Sequence, residues 1–512
     1  MPDYMFLLES RLSAEQRAVL TRMQELGAAT QTNVYLSGGA VRDLVSGMPI
    51  RDLDFTVEGS PTRFVRELEK GGARTLTENE KLRHAEMVFA GDVDGSIAAA
   101  RDDVYVRPGT VPEIRWSTIM EDLRRRDFSI NAIAISLNPN SRGLLLDPTN
   151  GLADLETQHE VRALSIHSFT NQPVRLLRAL RYAARMGFKL ENRTQEWFDL
   201  AIERGLQDSI SPDDAGSELR QVAKEEKAGA ALKSWESRGL LETISAQLAK
   251  RHPDYDALAS IARAREEMMA SGLRPRVLIP ASYAIVSRLK GREPAAILQR
   301  SKYQKSEIEA VLALEGESKK LASLLAGKKA NAPKDAYAIL EKAPMDLLLY
   351  VLAESSNATA RNKIRNYLQK WRPMRLDLGS AMNELENIGM PRGPKFDKVI
   401  EDYFGAQLAG RVKAPEDRTR ILRKLSGIKE PPPKKVKEPK KKSAKAEDLL
   451  AKAVKSSGKE KPAPPAAPGS HAKPPASTHD KAAPAAKDQK SSAKKPTPQP
   501  KSKPKPAKKK KR

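Results

Sequence analysis

Leu36-Ser37-Gly38-Gly39-Ala40-Val41-Arg42-Asp43 and, shortly after it, Arg51-Asp52-Leu53-Asp54-Phe55 are the stretches whose reading decides the fold. Val34-Tyr35-Leu36 is strand-like and enters a tight glycine turn. Val41 to Val45 forms a short helix that ends near Gly47-Met48-Pro49, and a second strand then carries two carboxylates. Gly38 and Gly39 have no Cβ, so backbone N–H groups there can approach a phosphate closely. The helix start at Ala40 turns unpaired N–H groups toward the same anion. On a strand, Asp52 and Asp54 point to one face, because side chains alternate with period two. Side-by-side carboxylates repel unless a cation lies between them, and Mg²⁺ prefers such oxygen ligands. A phosphate cradle beside a metal pair implies phosphoryl or nucleotidyl transfer.

Outward from this stretch, the apolar spacing of Ala14, Val19, Leu20, Met23 and Leu26 predicts an amphipathic helix before it. Ser60-Pro61 caps a helix running to about Lys70. Strand-like pieces lie between Arg74 and Tyr105, Ser117 to Ile135 reads as one helix, and Gly143 to Pro148 as a strand and turn. From Pro173 to about Phe404 nearly every periodic segment is helical. The expected organisation is a mixed α+β region first, an all-α region after it, and a Lys/Pro/Ala-rich segment over 430–512. That last segment contains no Phe, Trp or Tyr and is expected to be disordered.

The chain of 512 residues has a formal charge of +25, unevenly placed. Residues 431–512 hold 25 Lys and Arg against 6 Asp and Glu, a surplus of 19. Such a segment fits a non-specific RNA tether, or a solubilising extension. The absence of cysteine excludes disulfides and thiolate metal sites and suits a cytoplasmic protein. No secretory signal is expected at the start, and no apolar run is long enough for a membrane span.

Two further clusters carry charge where an apolar core is expected. Arg124-Arg125-Arg126-Asp127-Phe128 leads straight into Ile130, Ala132, Ile133, Ala134 and Ile135. One or two of these arginines must lie beside the core, and a buried arginine needs an anionic partner such as phosphate. Arg175, Arg178, Arg181 and Arg185 form a stripe opposite Leu176, Leu177 and Leu180, with no acidic partner within their own helix. An uncompensated guanidinium row suggests nucleotide or RNA phosphate.

With these motifs the chain resembles the class II nucleotidyltransferases of the tRNA nucleotidyltransferase (CCA-adding) and bacterial poly(A) polymerase family. The likeness is dense from Val34 to Phe188 and resumes at Gly393-Pro394 through Gln407-Leu408-Ala409-Gly410. It implies a polymerase-β-like nucleotidyltransferase head over 1–160, followed by an all-α neck over 161–250 and an all-α body and tail over 251–429. It implies that Asp52 and Asp54 are catalytic and bind Mg²⁺. Gly38, Gly39, Arg42, Arg126, Asp127, Gln172, Arg175, Arg178 and Arg181 would line the nucleotide site. The implied reaction is attack of an RNA 3′-hydroxyl on the α-phosphate of CTP or ATP, adding CCA, or CC or A alone, to tRNA. Open-ended adenylation of RNA is the alternative within the same chemistry.

The sequence departs from the family pattern in two places. Where the family has acids before the neck arginines, this chain has Asn171 and Gln172, and an amide offers a base edge donors as well as an acceptor. A third acid is expected on a strand before an Ala-Arg pair, and Ser96 stands in that place. These departures motivate a third reading, a catalytically weakened RNA-binding paralogue.

Overall fold

The computed structural model describes residues 3–107 and 111–428. The expected disordered segment at 430–512 lies outside the described residues. Nine strands build the head: β1 Val34–Ser37, β2 Leu53–Val57, β3 Arg74–Asn79, β4 His84–Phe89, β5 Val93–Ala99, β6 Arg101–Val104, β7 Glu113–Trp116, β8 Ala134–Ser136 and β9 Leu145–Leu146. Seven of them form one sheet in the order β3-β4-β5-β2-β1-β8-β9, while β6 and β7 pair with each other in a separate hairpin. β2 and β5 run parallel, and the other neighbours in the large sheet are antiparallel.

The two faces of the sheet differ in chemistry because of the strand period. Leu36, Phe55 and Ile97 lie side by side in register and are fully buried against the helices. The other face carries Thr56, Asp54 and Ser96, with Asp54 directly opposite Ser96. Gly95 permits the close approach of β2 and β5, since a Cβ there would stand 2.1 Å from the Leu53 carbonyl oxygen.

Helices α1 (Tyr4–Arg11) and α2 (Ala14–Thr30) cover the apolar face, and a reciprocal Ser13–Gln16 capping box starts the second. Helix α3 (Gly39–Val45) follows the glycine turn, and α4 (Thr62–Lys70) buries Phe64, Val65 and Leu68. The predicted single helix from Ser117 to Ile135 is not formed. Helix α5 spans only Ile119–Arg124, a short 3₁₀ turn follows at Ser129–Asn131, and the apolar run becomes β8. The β-branched residues of that run favour a strand, and Ile135 and Ala134 pair with Leu36 and Ser37 of β1. Tertiary pairing with β1 thus overrides the helical periodicity.

Beyond the head, regular structure between Arg175 and Ser426 is helical apart from Lys189–Leu190, which pairs parallel with Glu160–Val161. One apolar core runs without interruption from Tyr4 in the head to Leu422 in the last helix. No helix among the described residues is long and apolar enough to cross a membrane.

Candidate active site

Gly38 adopts φ +69°, a conformation that residues with a side chain rarely take, and its N–H donates to the Ile133 carbonyl at 3.0 Å. The turn therefore depends on glycine and is tied to the neighbouring strand region. A Cβ on Gly39 would stand 3.9 Å from Asp54 Oδ2 and 3.6 Å from Arg42 Nη2. Turn, carboxylate and Arg42 are thus immediate neighbours.

Asp54 sits on β2, whereas the strand begins at Leu53 and leaves Asp52 just before it. This differs from the sequence reading, which put both carboxylates on the strand itself. Burial and then the nearby Asp52 push the Asp54 carboxyl up to about 6. Ser96 opposes the rise by donating its hydroxyl to Asp54 Oδ1 at 2.7 Å. Ser96 thus occupies the strand position beside Asp54 at which a third acid was expected. Among the described residues there is no group of three His, Cys, Asp or Glu side chains arranged to hold a metal. The donor set is a pair of hard carboxylate oxygens whose mutual repulsion a divalent cation would relieve, so the residues present fit such an ion.

Arg126 lies beneath the turn and joins three elements. It donates to Ser37 Oγ at 2.9 Å, Thr56 Oγ1 at 3.1 Å and the Asn131 carbonyl at 3.0 Å. Its anionic partner is Asp122, four residues earlier, at 2.9 Å. The need for an anion was legible in the sequence, and the partner is this carboxylate. Burial raises the pKa of Asp122, but Arg126 and Arg125 outweigh it and hold the group below the usual carboxylate range. Arg42 is equally enclosed, bonded to Asp43 and at 2.7 Å to Asn131 Oδ1, with the Tyr182 ring 5.1 Å away.

The neck stripe is brought to the same place, but it is not uncompensated. Arg178 meets Asp127 at 3.0 Å and Glu218 at 2.8 Å; Arg181 meets Glu218 at 2.9 Å and Glu225 at 3.2 Å. Arg185 meets Glu225 at 2.7 Å and Asp43 at 2.6 Å. These acids lie far along the chain, on the Pro212–Ala223 helix and just after it or in the head. A search for partners within the neck helix could not find them. Burial acts to raise Asp127 and Glu218, yet the facing arginines outweigh it and lower both. Arg175 is different. It donates to Ser168 Oγ at 2.9 Å, its buried Nε has no protein partner, and burial lowers its pKa.

Gln172 donates its side-chain amide to the Tyr105 hydroxyl, just beyond β6. Sequence reasoning missed Tyr105, Asp122, Glu218 and Glu225. For Asp122, the i, i+4 spacing to Arg126 was an available signal. For Tyr105 and the two glutamates no local signal existed. Gly38, Gly39, Asp52, Asp54, Arg42 and Arg126 converge at the polar side of the sheet around β1 and β2, and Asp127, Arg175, Arg178 and Arg181 adjoin them from the neck side. The arrangement can present backbone amides and guanidinium groups to phosphates beside a carboxylate pair.

Residues 34–161 match the family described as Poly A polymerase head domain. An A-adding tRNA nucleotidyltransferase of Geobacter sulfurreducens is 24% identical over 430 residues, covering 83% of this chain and 48% of that protein. One of Halalkalibacterium halodurans is 36% identical over 222 residues, covering 43% of this chain and 52% of its own length. The chain spans about half the length of the curated relatives it matches. A solved tRNA nucleotidyltransferase in complex with a primer tRNA and an incoming ATP analog is 26% identical, covers 69% of this chain and 99% of its own, and superposes with a TM-score of 0.44.

Proposed function

Starting from residues 34–161, which match the poly(A) polymerase head-domain family, we propose that this protein is an RNA nucleotidyltransferase that extends tRNA 3′ ends. The observation that carries the reading is the placement of the Gly38-Gly39 turn against Asp54, within reach of one nucleotide triphosphate. Asp52 and Asp54 would hold Mg²⁺, which when bound supplies positive charge to the attacking 3′-oxygen and the α-phosphate. The 3′-hydroxyl gives up its proton and bonds to the α-phosphorus as the bond to pyrophosphate breaks. The chain's own part is to position and neutralise: the glycine turn admits the triphosphate to its backbone, and Arg126 fixes β1 against β2 beneath it. Gln172 and Arg175 face the base. The head at 1–160, neck at 161–250 and body and tail at 251–429 divide these tasks, with RNA lying along the helices. A tRNA substrate fits a cytoplasmic protein.

Addition of A alone is the reading we favour, because the relatives from both organisms named above are A-adding proteins. Gln172 is compatible with it, since an amide can pair with the donor and acceptor on adenine's edge. The test is extension of tRNA transcripts ending before, within and after CCA, with labelled CTP and ATP supplied separately in Mg²⁺. A single A added to transcripts ending in CC is expected, and no incorporation of any nucleotide in Mg²⁺ or Mn²⁺ refutes the proposal. Product length separates this from poly(A) polymerisation, which gives an open-ended ladder. Ser96 beside Asp54 favours a second reading, a weakened RNA-binding paralogue, for which RNA binding persists without incorporation.

A further inference from the structure

Asp52 lies outside β2, so its place is set by whatever holds the segment before the strand. Gln16 Nε2 donates to the Ile50 carbonyl at 3.1 Å, and Arg51 Nη1 reaches the Lys224 carbonyl at 2.9 Å and Glu225 Oε2 at 3.3 Å. Glu225 is 3% exposed and also accepts from Arg185 at 2.7 Å and Arg181 at 3.2 Å. Arg185 in turn holds Asp43, which is bonded to Arg42 behind the glycine turn. One buried carboxylate, 173 residues downstream of Asp52, therefore joins three things: the residue before Asp52, the neck helix and, through Arg185, the helix after the turn.

We propose that Glu225 is a positioning residue for the metal-binding carboxylates: through Arg51 it holds Asp52 at the separation from Asp54 that a divalent cation requires. This rests on the reading of Asp52 and Asp54 given above. Arg51 is 24% exposed in its side chain, and a single partly exposed ion pair contributes little to stability. Its effect lies in direction, because Arg51 Nη1 is shared between the Lys224 carbonyl and the Glu225 carboxylate, which aims the side chain away from Asp52 and toward the 224–225 backbone. Groups that orient metal ligands from behind commonly change metal affinity about ten- to a hundredfold when removed.

The test uses the full chain and two independent variants, Arg51→Gln and Glu225→Gln, with Tb³⁺ luminescence as a probe of the carboxylate pair. Melting temperature and the Mg²⁺ dependence of nucleotide addition are measured alongside. Arg51→Gln is expected to leave the melting temperature near that of the unaltered protein, weaken Tb³⁺ binding about tenfold and raise the Mg²⁺ half-saturation by a similar factor. The KM for nucleotide at saturating Mg²⁺ stays constant, and Arg51→Lys recovers part of the loss. Glu225→Gln gives the same metal shift and also lowers the melting temperature. Unchanged Tb³⁺ affinity in Arg51→Gln overturns the proposal, even if Glu225→Gln fails to fold. A Tb³⁺ shift in a protein that incorporates no nucleotide upholds the positioning role and removes the nucleotidyltransferase reading instead.

Discussion

Asp54 holds its proton more tightly in the folded chain than in the unfolded one, because it is buried beside Asp52. With a folded pKa of about 6 against an ordinary 3.8, this group favours the fold below pH 3.8, and that contribution is lost as pH rises through 6. At pH 7.5 without metal, the buried Asp54 carboxylate opposes folding by on the order of 3 kcal/mol, at about 1.4 kcal/mol per pH unit. Asp54→Asn keeps an acceptor for Ser96 and removes the repulsion. It is expected to raise the melting temperature in EDTA at pH 7.5, read by calorimetry, while abolishing nucleotide addition. An unchanged or lower melting temperature contradicts the argument. Tyr105 acts at the same scale by holding the Gln172 amide. Tyr105→Phe is expected to shift the ATP-to-CTP ratio of kcat/KM by roughly five- to tenfold, the worth of one hydrogen bond of about 1 kcal/mol. An equal change for both nucleotides would count against it.

The Arg175–Met186 helix shows how one element takes its meaning from others. Its hydrophobic side, Leu176, Leu177 and Ala179, is fully buried, while Arg178 and Arg181 clasp Glu218 on the Pro212–Ala223 helix. Removing one member of a buried ion network leaves charge without a partner and costs roughly 3–5 kcal/mol. Glu218→Gln is therefore expected to lower the melting temperature by several degrees at neutral pH. Because the Glu218 pKa is lowered on folding, its stabilisation is present above the ordinary glutamate range and fades as pH falls through the depressed value. The difference between variant and parent should then shrink below about pH 4. A difference independent of pH refutes a charge-based role. At the same scale, the capping box at Thr118 and Glu121 starts α5, but it could not extend the helix once Ala134 and Ile135 had a strand partner.

At the scale of the whole molecule, the head and the helices share one apolar core, so the neck arginines approach the carboxylate region as part of a single packed unit. The basic surplus lies elsewhere, in residues 431–512. Deleting residues 430–512 is expected to leave the melting temperature unchanged, lower RNA affinity and flatten its dependence on salt, as measured by binding titrations between 50 and 200 mM salt. An unaltered salt slope assigns RNA contact to residues before 430 alone.

The glycine turn, the carboxylates and the period-two alternation of side chains on the strands were all legible in the sequence. Each is a short-range pattern that the backbone reads directly. The helical character after Pro173 was legible for the same reason. Tertiary structure alone decided three matters: that residues 130–135 end in a strand, that Arg178, Arg181 and Arg185 are neutralised, and that Ser96 faces Asp54. Each depends on residues brought together from tens to well over a hundred positions apart, or on a competition between local propensity and strand pairing. The charges of an arginine stripe are visible in the sequence, but whether they remain free for a phosphate is decided by the carboxylates that folding sets against them.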